Sequence, residues 1–140
     1  MPLRPDELSL LLEALAALPA DWHSAGFIPM PGVEALARHA SARRLTRSIE
    51  TGAGRSTVLL SHLSERHTVF ALDGGDSLKR TREHPLLNPH TVEFIEGPSQ
   101  RTIFEFAGRD PLQLVLLDGP HGFPFPNLEY WRFYPSLEPG

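Results

Sequence analysis

Ser48-Ile49-Glu50-Thr51-Gly52-Ala53-Gly54-Arg55-Ser56-Thr57 is the stretch on which the fold turns. Leu45 to Glu50 reads as a short strand. Ser56 to Leu63 reads as a helix, with Val58, Leu59, Leu60 and Leu63 available to pack on a sheet. Between them, Gly52 and Gly54 let the backbone turn tightly and let a ligand approach with no Cβ in the way. The helix that opens after the turn directs its N–H groups and positive dipole end at whatever sits there. A G-x-G turn alone is weak evidence, so its surroundings decide what it means.

Downstream, strands and helices alternate. His67 to Asp73 is a second strand, broken by Gly74-Gly75, and Ser77 to His84 is a short polar helix. Thr91 to Glu96 is a third strand, Gln100 to Phe106 a crossover helix, and Leu112 to Asp118 a fourth strand. Gly119 to Pro126 is a loop, and Asn127 to Leu137 a helix. Such alternation implies a parallel sheet with right-handed crossovers. Leu114 to Leu117 is apolar throughout, the pattern of a strand buried on both faces. Upstream, Asp6 to Leu18 carries leucines at helical spacing, with Asp6 able to serve as N-cap, and Val33 to about Arg43 forms a second amphipathic helix. The chain thus divides into a helical extension, residues 1–44, and an α/β part, residues 45–140.

Asp73 stands at the end of the second strand, 21 positions after Gly52. A carboxylate there can accept hydrogen bonds from both ribose hydroxyls, so a nucleoside-bearing ligand is expected across the strand ends. A nicotinamide or flavin site usually has a third glycine where this chain has Thr57. Glu50, at the mouth of the sheet, would repel a pyrophosphate but favour the ammonium or sulfonium of S-adenosylmethionine (SAM).

IETGAGRST followed by VFALD resembles the first two motifs of class I SAM-dependent methyltransferases. LVLLDGPHGF, with LEYWRFYPSLEPG after it, is similar to the later part of that pattern, nearest to the small-molecule O-methyltransferase-like branch. The resemblance covers roughly Leu45 to Gly140. It implies a Rossmann-like α/β fold: a parallel sheet with helices on both faces, preceded by two N-terminal helices. About four strands are present, in the order 3-2-1-4, so the sheet would be incomplete beside the family's seven strands. Glu50, Gly52, Ala53 and Gly54 would line the methionine part of SAM, Asp73 would bind the ribose, and Ser99 and Gln100 would lie near the adenine. Gly97-Pro98-Ser99 lacks the acidic residue that relatives often place near the adenine amino group.

By the same resemblance Asp118 would sit by the transferring methyl group. His121, three residues on, has a suitable ordinary pKa to take a proton from a hydroxyl acceptor. A divalent metal at Asp118, as in some relatives, would need ligands from beyond residue 140, and no residue here supports one. Phe123, Phe125, Tyr130, Trp131, Phe133 and Tyr134 are expected mostly in core and helix packing. Trp22, His23, Phe27 and Met30 are expected to cap the sheet, with a lid over the acceptor as the alternative. The remaining histidines (His39, His62, His67, His84, His90) show no metal-ligand spacing and read as surface residues.

Composition sets the outer bounds. With 41% apolar and 21% charged residues the chain is ordinary for a globular protein, and 140 residues suit one core. A net charge of −4 with scattered arginines gives no nucleic-acid signature. The absence of cysteine excludes disulfides and thiol chemistry. The N-terminus lacks the order of a secretory signal, and the longest apolar stretch is too short for a bilayer, so a cytoplasmic location is expected. The expected function is therefore SAM binding within a methyltransferase acting on a small-molecule oxygen or nitrogen. The alternatives are a non-catalytic nucleotide-binding or assembly module and, less favoured by Thr57 and Glu50, an NAD-dependent oxidoreductase. Residues 1–140 alone are expected to lack turnover and to self-associate through an exposed fourth strand.

Overall fold

The computed structural model describes residues 3–22, 28–72 and 76–139. Two helices lead, α1 (Pro5–Ala16) and α2 (Met30–Ser41). Then follow β1 (Leu45–Thr51), α3 (Arg55–Leu63), β2 (Ser64–Ala71), α4 (Asp76–Arg82), β3 (Val92–Glu96), α5 (Ser99–Glu105), β4 (Leu114–Leu117) and α6 (Phe125–Phe133), and one 3-10 turn, Tyr134–Ser136. The strands form one parallel sheet in the order β3-β2-β1-β4, the order expected from the sequence. Glu50 pairs with Val69 on one side and Leu116 on the other, which makes β1 central.

Each face of the sheet has its own core. Leu11 and Leu15 of α1, Val33 and Ala37 of α2, and Val58 and Leu59 of α3 make one cluster, so the leading helices pack on the α3 side of the sheet. Ile49, Phe70, Ile103, Leu112 and Phe133 make the other, beneath α5 and α6. The alternation of side chains along a strand sends Glu50 to the first side and Ile49 and Thr51 to the second.

Several local expectations are corrected. Pro5 sits in the first turn of α1 with Arg4 at the N-cap, so Asp6 lies inside the helix and is not its cap. Proline's fixed φ suits a first helical position, and Glu7 accepts from the Arg4 backbone N–H at 2.8 Å. β2 starts at Ser64, directly out of α3. His67 is therefore in mid-strand and buried at 1% exposure, where the sequence placed it at the surface. β4 is half-buried along its length rather than enclosed on both faces, because it is the outermost strand.

After the 3-10 turn the chain returns alongside the start of β4. The Leu112 N–H donates to the Ser136 carbonyl at 2.8 Å and the Glu138 N–H to the Leu112 carbonyl at 2.9 Å, making a parallel bridge between Leu112 and Leu137. No helix among the described residues is long and apolar enough to cross a membrane.

Candidate functional site

The turn that joins β1 to α3 is built on Gly52. Its φ of +89° is strained for any residue with a side chain, and a Cβ there would run into the Asp118 carbonyl, whose carbon would lie 3.1 Å away. The Gly52 N–H donates to the Phe70 carbonyl at 2.8 Å, tying the turn to β2. Gly54 is extended, with φ 176°, and its N–H donates to Thr57 Oγ1 at 3.0 Å. Ala53 packs partly against Val69, Ala71 and Leu78. Asp73 lies outside the described residues, as do His23 and Phe27.

Glu50 is 1% exposed, enclosed beneath this turn. Ser56 Oγ donates to one carboxylate oxygen, and Thr57 Oγ1 donates to the other at 2.7 Å. His67 Nε2 stands 3.1 Å from that second oxygen, so with a carboxylate opposite it Nε2 carries the proton. The other ring nitrogen, Nδ1, is 2.8 Å from Ser48 Oγ, which is in turn 2.6 Å from Ser64 Oγ. A buried carboxyl is costly unless its lone pairs are taken, and here they are taken by two hydroxyls at the start of α3 and by His67 of β2.

On the other face Thr51 brings the β4 loop to the turn. Its Oγ1 accepts from the backbone N–H groups of Asp118 at 3.1 Å and Gly119 at 3.0 Å. It donates to Glu129 Oε2 at 2.9 Å. Ser99 Oγ, at the start of α5, donates to the other Glu129 oxygen at 2.9 Å. Glu129 is 1% exposed. Burial pushes its carboxyl above the ordinary value, and the hydrogen bonds from Thr51 and Ser99 and the charge of His121 pull it back only in part.

The structure thus brings Gly52, Asp118 and Ser99 to one end of the sheet, the carboxyl ends of the strands. Gln100 is there too, with its side chain exposed. The Asp118 side chain is one-third exposed, and His121 Nε2 lies 3.8 Å from its Oδ1 on a side chain that is 84% exposed. Among the described residues no three His, Asp or Glu side chains gather to hold a metal ion, so no step is assigned to a metal. Trp22 meets His84 edge-on at 5.2 Å and, like Met30, packs on the α1–α3 core, the capping position. Of the six aromatic residues from Phe123 to Tyr134, Phe133 alone is buried. Phe123, Tyr130, Trp131 and Tyr134 are exposed, which corrects their assignment to the core. Glu129 and His67 are the residues that sequence reasoning missed.

A cavity of about 470 Å³ opens at the opposite, amino ends of the strands, lined by Arg47, Arg66, His90 and Arg132 among others. It holds none of the candidate ligand-binding residues, although Ser48 and His67 of the Glu50 network reach its wall.

No protein-family model matches the chain, and no curated protein is significantly similar to it in sequence. Its fold is nevertheless shared with solved methyltransferases. One is a Staphylococcus aureus protein described as a caffeoyl-CoA O-methyltransferase, with a TM-score of 0.69 and 12% identity, covering 94% of this chain and 61% of the other. Another is the O-methyltransferase TomG of Streptomyces achromogenes, involved in tomaymycin synthesis and solved with SAM. Its TM-score is 0.68 and its identity 20%, covering 100% of this chain and 64% of TomG. A third, from Pyrococcus horikoshii, is described as an RNA methyltransferase, with a TM-score of 0.63 and 16% identity over 98% of this chain and 70% of the other. The fold is therefore the Rossmann-like α/β arrangement of class I SAM-dependent methyltransferases. This chain spans about 61 to 64% of the length of the first two.

Proposed function

We propose that this chain is the SAM-binding part of a methyltransferase whose acceptor is a small-molecule oxygen or nitrogen. The observation that carries the reading is the convergence, at the carboxyl ends of β1, β3 and β4, of the Gly52 turn, the start of α5 and Asp118. That arrangement stands in a sheet ordered as in methyltransferases, one of them solved with SAM. Ligands of open parallel sheets gather at those ends.

Gly52, Ala53 and Gly54 would receive the methionine part of SAM, Asp73 the ribose, and Ser99 and Gln100 the side of the adenine. Glu50, enclosed as it is, would act through its charge and by bracing the turn rather than by contact. SAM, when bound, supplies an electrophilic methyl group. The work left to the protein is to hold the acceptor in line and to remove its proton. His121 is exposed enough to meet an acceptor hydroxyl, and Asp118, 3.8 Å away, would steady the imidazolium that forms. The acceptor class rests on the sequence resemblance, since the same fold serves an O-methyltransferase involved in tomaymycin synthesis and a protein described as an RNA methyltransferase.

Calorimetric titration with SAM, S-adenosylhomocysteine and NAD tests the reading. Saturable binding of either sulfur compound is expected, with NAD silent. Preferential binding of NAD would sink the assignment.

A further inference from the structure

Thr51 Oγ1 has a fixed polarity. It accepts the Gly119 N–H and shares the Asp118 N–H with the Thr51 carbonyl, each 3.1 Å from that nitrogen, so both of its lone pairs face N–H donors. Its single proton must therefore go to an acceptor, and Glu129 Oε2 is where it goes. The same carboxylate takes the proton of Ser99 through its other oxygen. Gly119 lies directly over it: a Cβ on Gly119 would stand 2.8 Å from Glu129 Oε1 and 3.1 Å from Thr51 Oγ1. One buried side chain on α6 thus touches or orders the end of β1, the start of α5 and the loop after β4.

Those three segments are the ones assigned above to the cofactor. We infer that Glu129 is a positioning residue for that site, holding the β1 turn, the α5 start and the Asp118–Gly119 loop in register through Thr51 and Ser99. The inference rests on the cofactor reading for its functional half. Its structural half stands on the hydrogen bonds alone.

The chemistry demands an acceptor facing Thr51. A neutral amide satisfies this: in Glu129→Gln the carbonyl oxygen can face Thr51, and the amide can donate to Ser99, whose hydroxyl also accepts. Glu129→Ala cannot, and it leaves two hydroxyls without their acceptor. A residue that merely filled space would show no such difference in rank between the variants.

Two readouts on the 140-residue chain decide the matter. The first is amide hydrogen exchange without ligand. Glu129→Ala should raise exchange at Gly119 and in the first turn of α5 by tenfold or more, with α1 and β2 unchanged, whereas Glu129→Gln should stay within threefold of wild type. The second is SAM affinity by calorimetry, which should fall about tenfold in Glu129→Ala and be largely restored in Glu129→Gln. Should Glu129→Ala not fold, Ser99→Ala, which removes one arm only, takes its place. It should raise exchange at the α5 start and weaken SAM binding, and no change in either would overturn the inference. Uniform exchange across the whole chain, or equal behaviour of the Ala and Gln variants, would reduce Glu129 to a packing residue. Wild-type protein that binds neither SAM nor its demethylated product would overturn the cofactor reading separately, while the exchange pattern would still decide what Glu129 holds.

Discussion

Glu50 and Thr51 are neighbours in β1 whose side chains leave the sheet on opposite faces, and each leads into a buried carboxylate network. On the α3 face Glu50 is the carboxylate itself, met by Ser56, Thr57 and His67. On the α6 face Thr51 reaches for a carboxylate, Glu129, that receives two hydroxyls. The first network includes an imidazole, with His67 Nε2 3.1 Å from the Glu50 carboxyl. In the second, burial raises the carboxyl of Glu129 above the ordinary range. The two sides brace one turn by different means: one locks it to the helix that follows, the other to loops distant in sequence.

That difference in range is also the difference in legibility. Ser56 and Thr57 stand six and seven residues after Glu50, inside a stretch whose strand-turn-helix reading is visible at once. Glu129 is 78 residues from Thr51 and 30 from Ser99, and only the completed sheet brings them together. One signal existed: Glu129 and Phe133 are four apart, so on a helix they share a face, and Phe133 is core. A charged residue on the buried face of α6 could have been flagged from that spacing. His67 was missed because β2 was expected to start at it. The strand begins at Ser64, and the extra residues carry His67 inward. Strand order and helix succession were readable because hydrophobic period and glycine breaks are local, whereas side-chain partners across the sheet are not.

Glu50→Ala should give the largest effect, because it strips three side-chain partners of their acceptor in a dry setting. A loss of about 3 kcal/mol or more is expected, at about 1–3 kcal/mol for each buried donor left unsatisfied, read from urea unfolding. A loss no larger than that of Glu129→Ala would break the contrast drawn here.

Gly52→Ala comes next. The left-handed φ costs about 1–2 kcal/mol, and crowding against the Asp118 carbonyl adds about 1–3 kcal/mol. Loss of SAM binding should accompany it, and unchanged stability would mean that the turn has another way to form.

Gly119→Ala sharpens the α6 side. Pressing a Cβ against the Glu129 carboxylate should cost about 1–3 kcal/mol. In a Glu129→Ala background the space is open, so the cost should shrink to well under half. A double-mutant cycle that comes out additive would place Gly119 and Glu129 out of contact.

The smallest effect is a pH dependence, and it separates the two carboxylates most directly. The free glutamate value is 4.5 and that of Glu129 in the folded chain lies above it. Between those two values the native state therefore holds a proton that the unfolded chain has released. The contribution of Glu129 to stability is fully present below about pH 4.5 and is lost as pH rises through the folded value. Glutamine at 129 does not titrate and lacks that loss. The stability of Glu129→Gln minus that of wild type should then climb as pH rises from about 4.5 and level off above the folded value. Other carboxylates shape both curves alike and cancel in the difference. Urea midpoints for the two proteins from pH 4 to pH 8 provide the test. A difference that falls with rising pH would mean that the hydroxyls of Thr51 and Ser99 outweigh burial, and that Glu129 is stabilised as an anion much as a paired carboxylate would be.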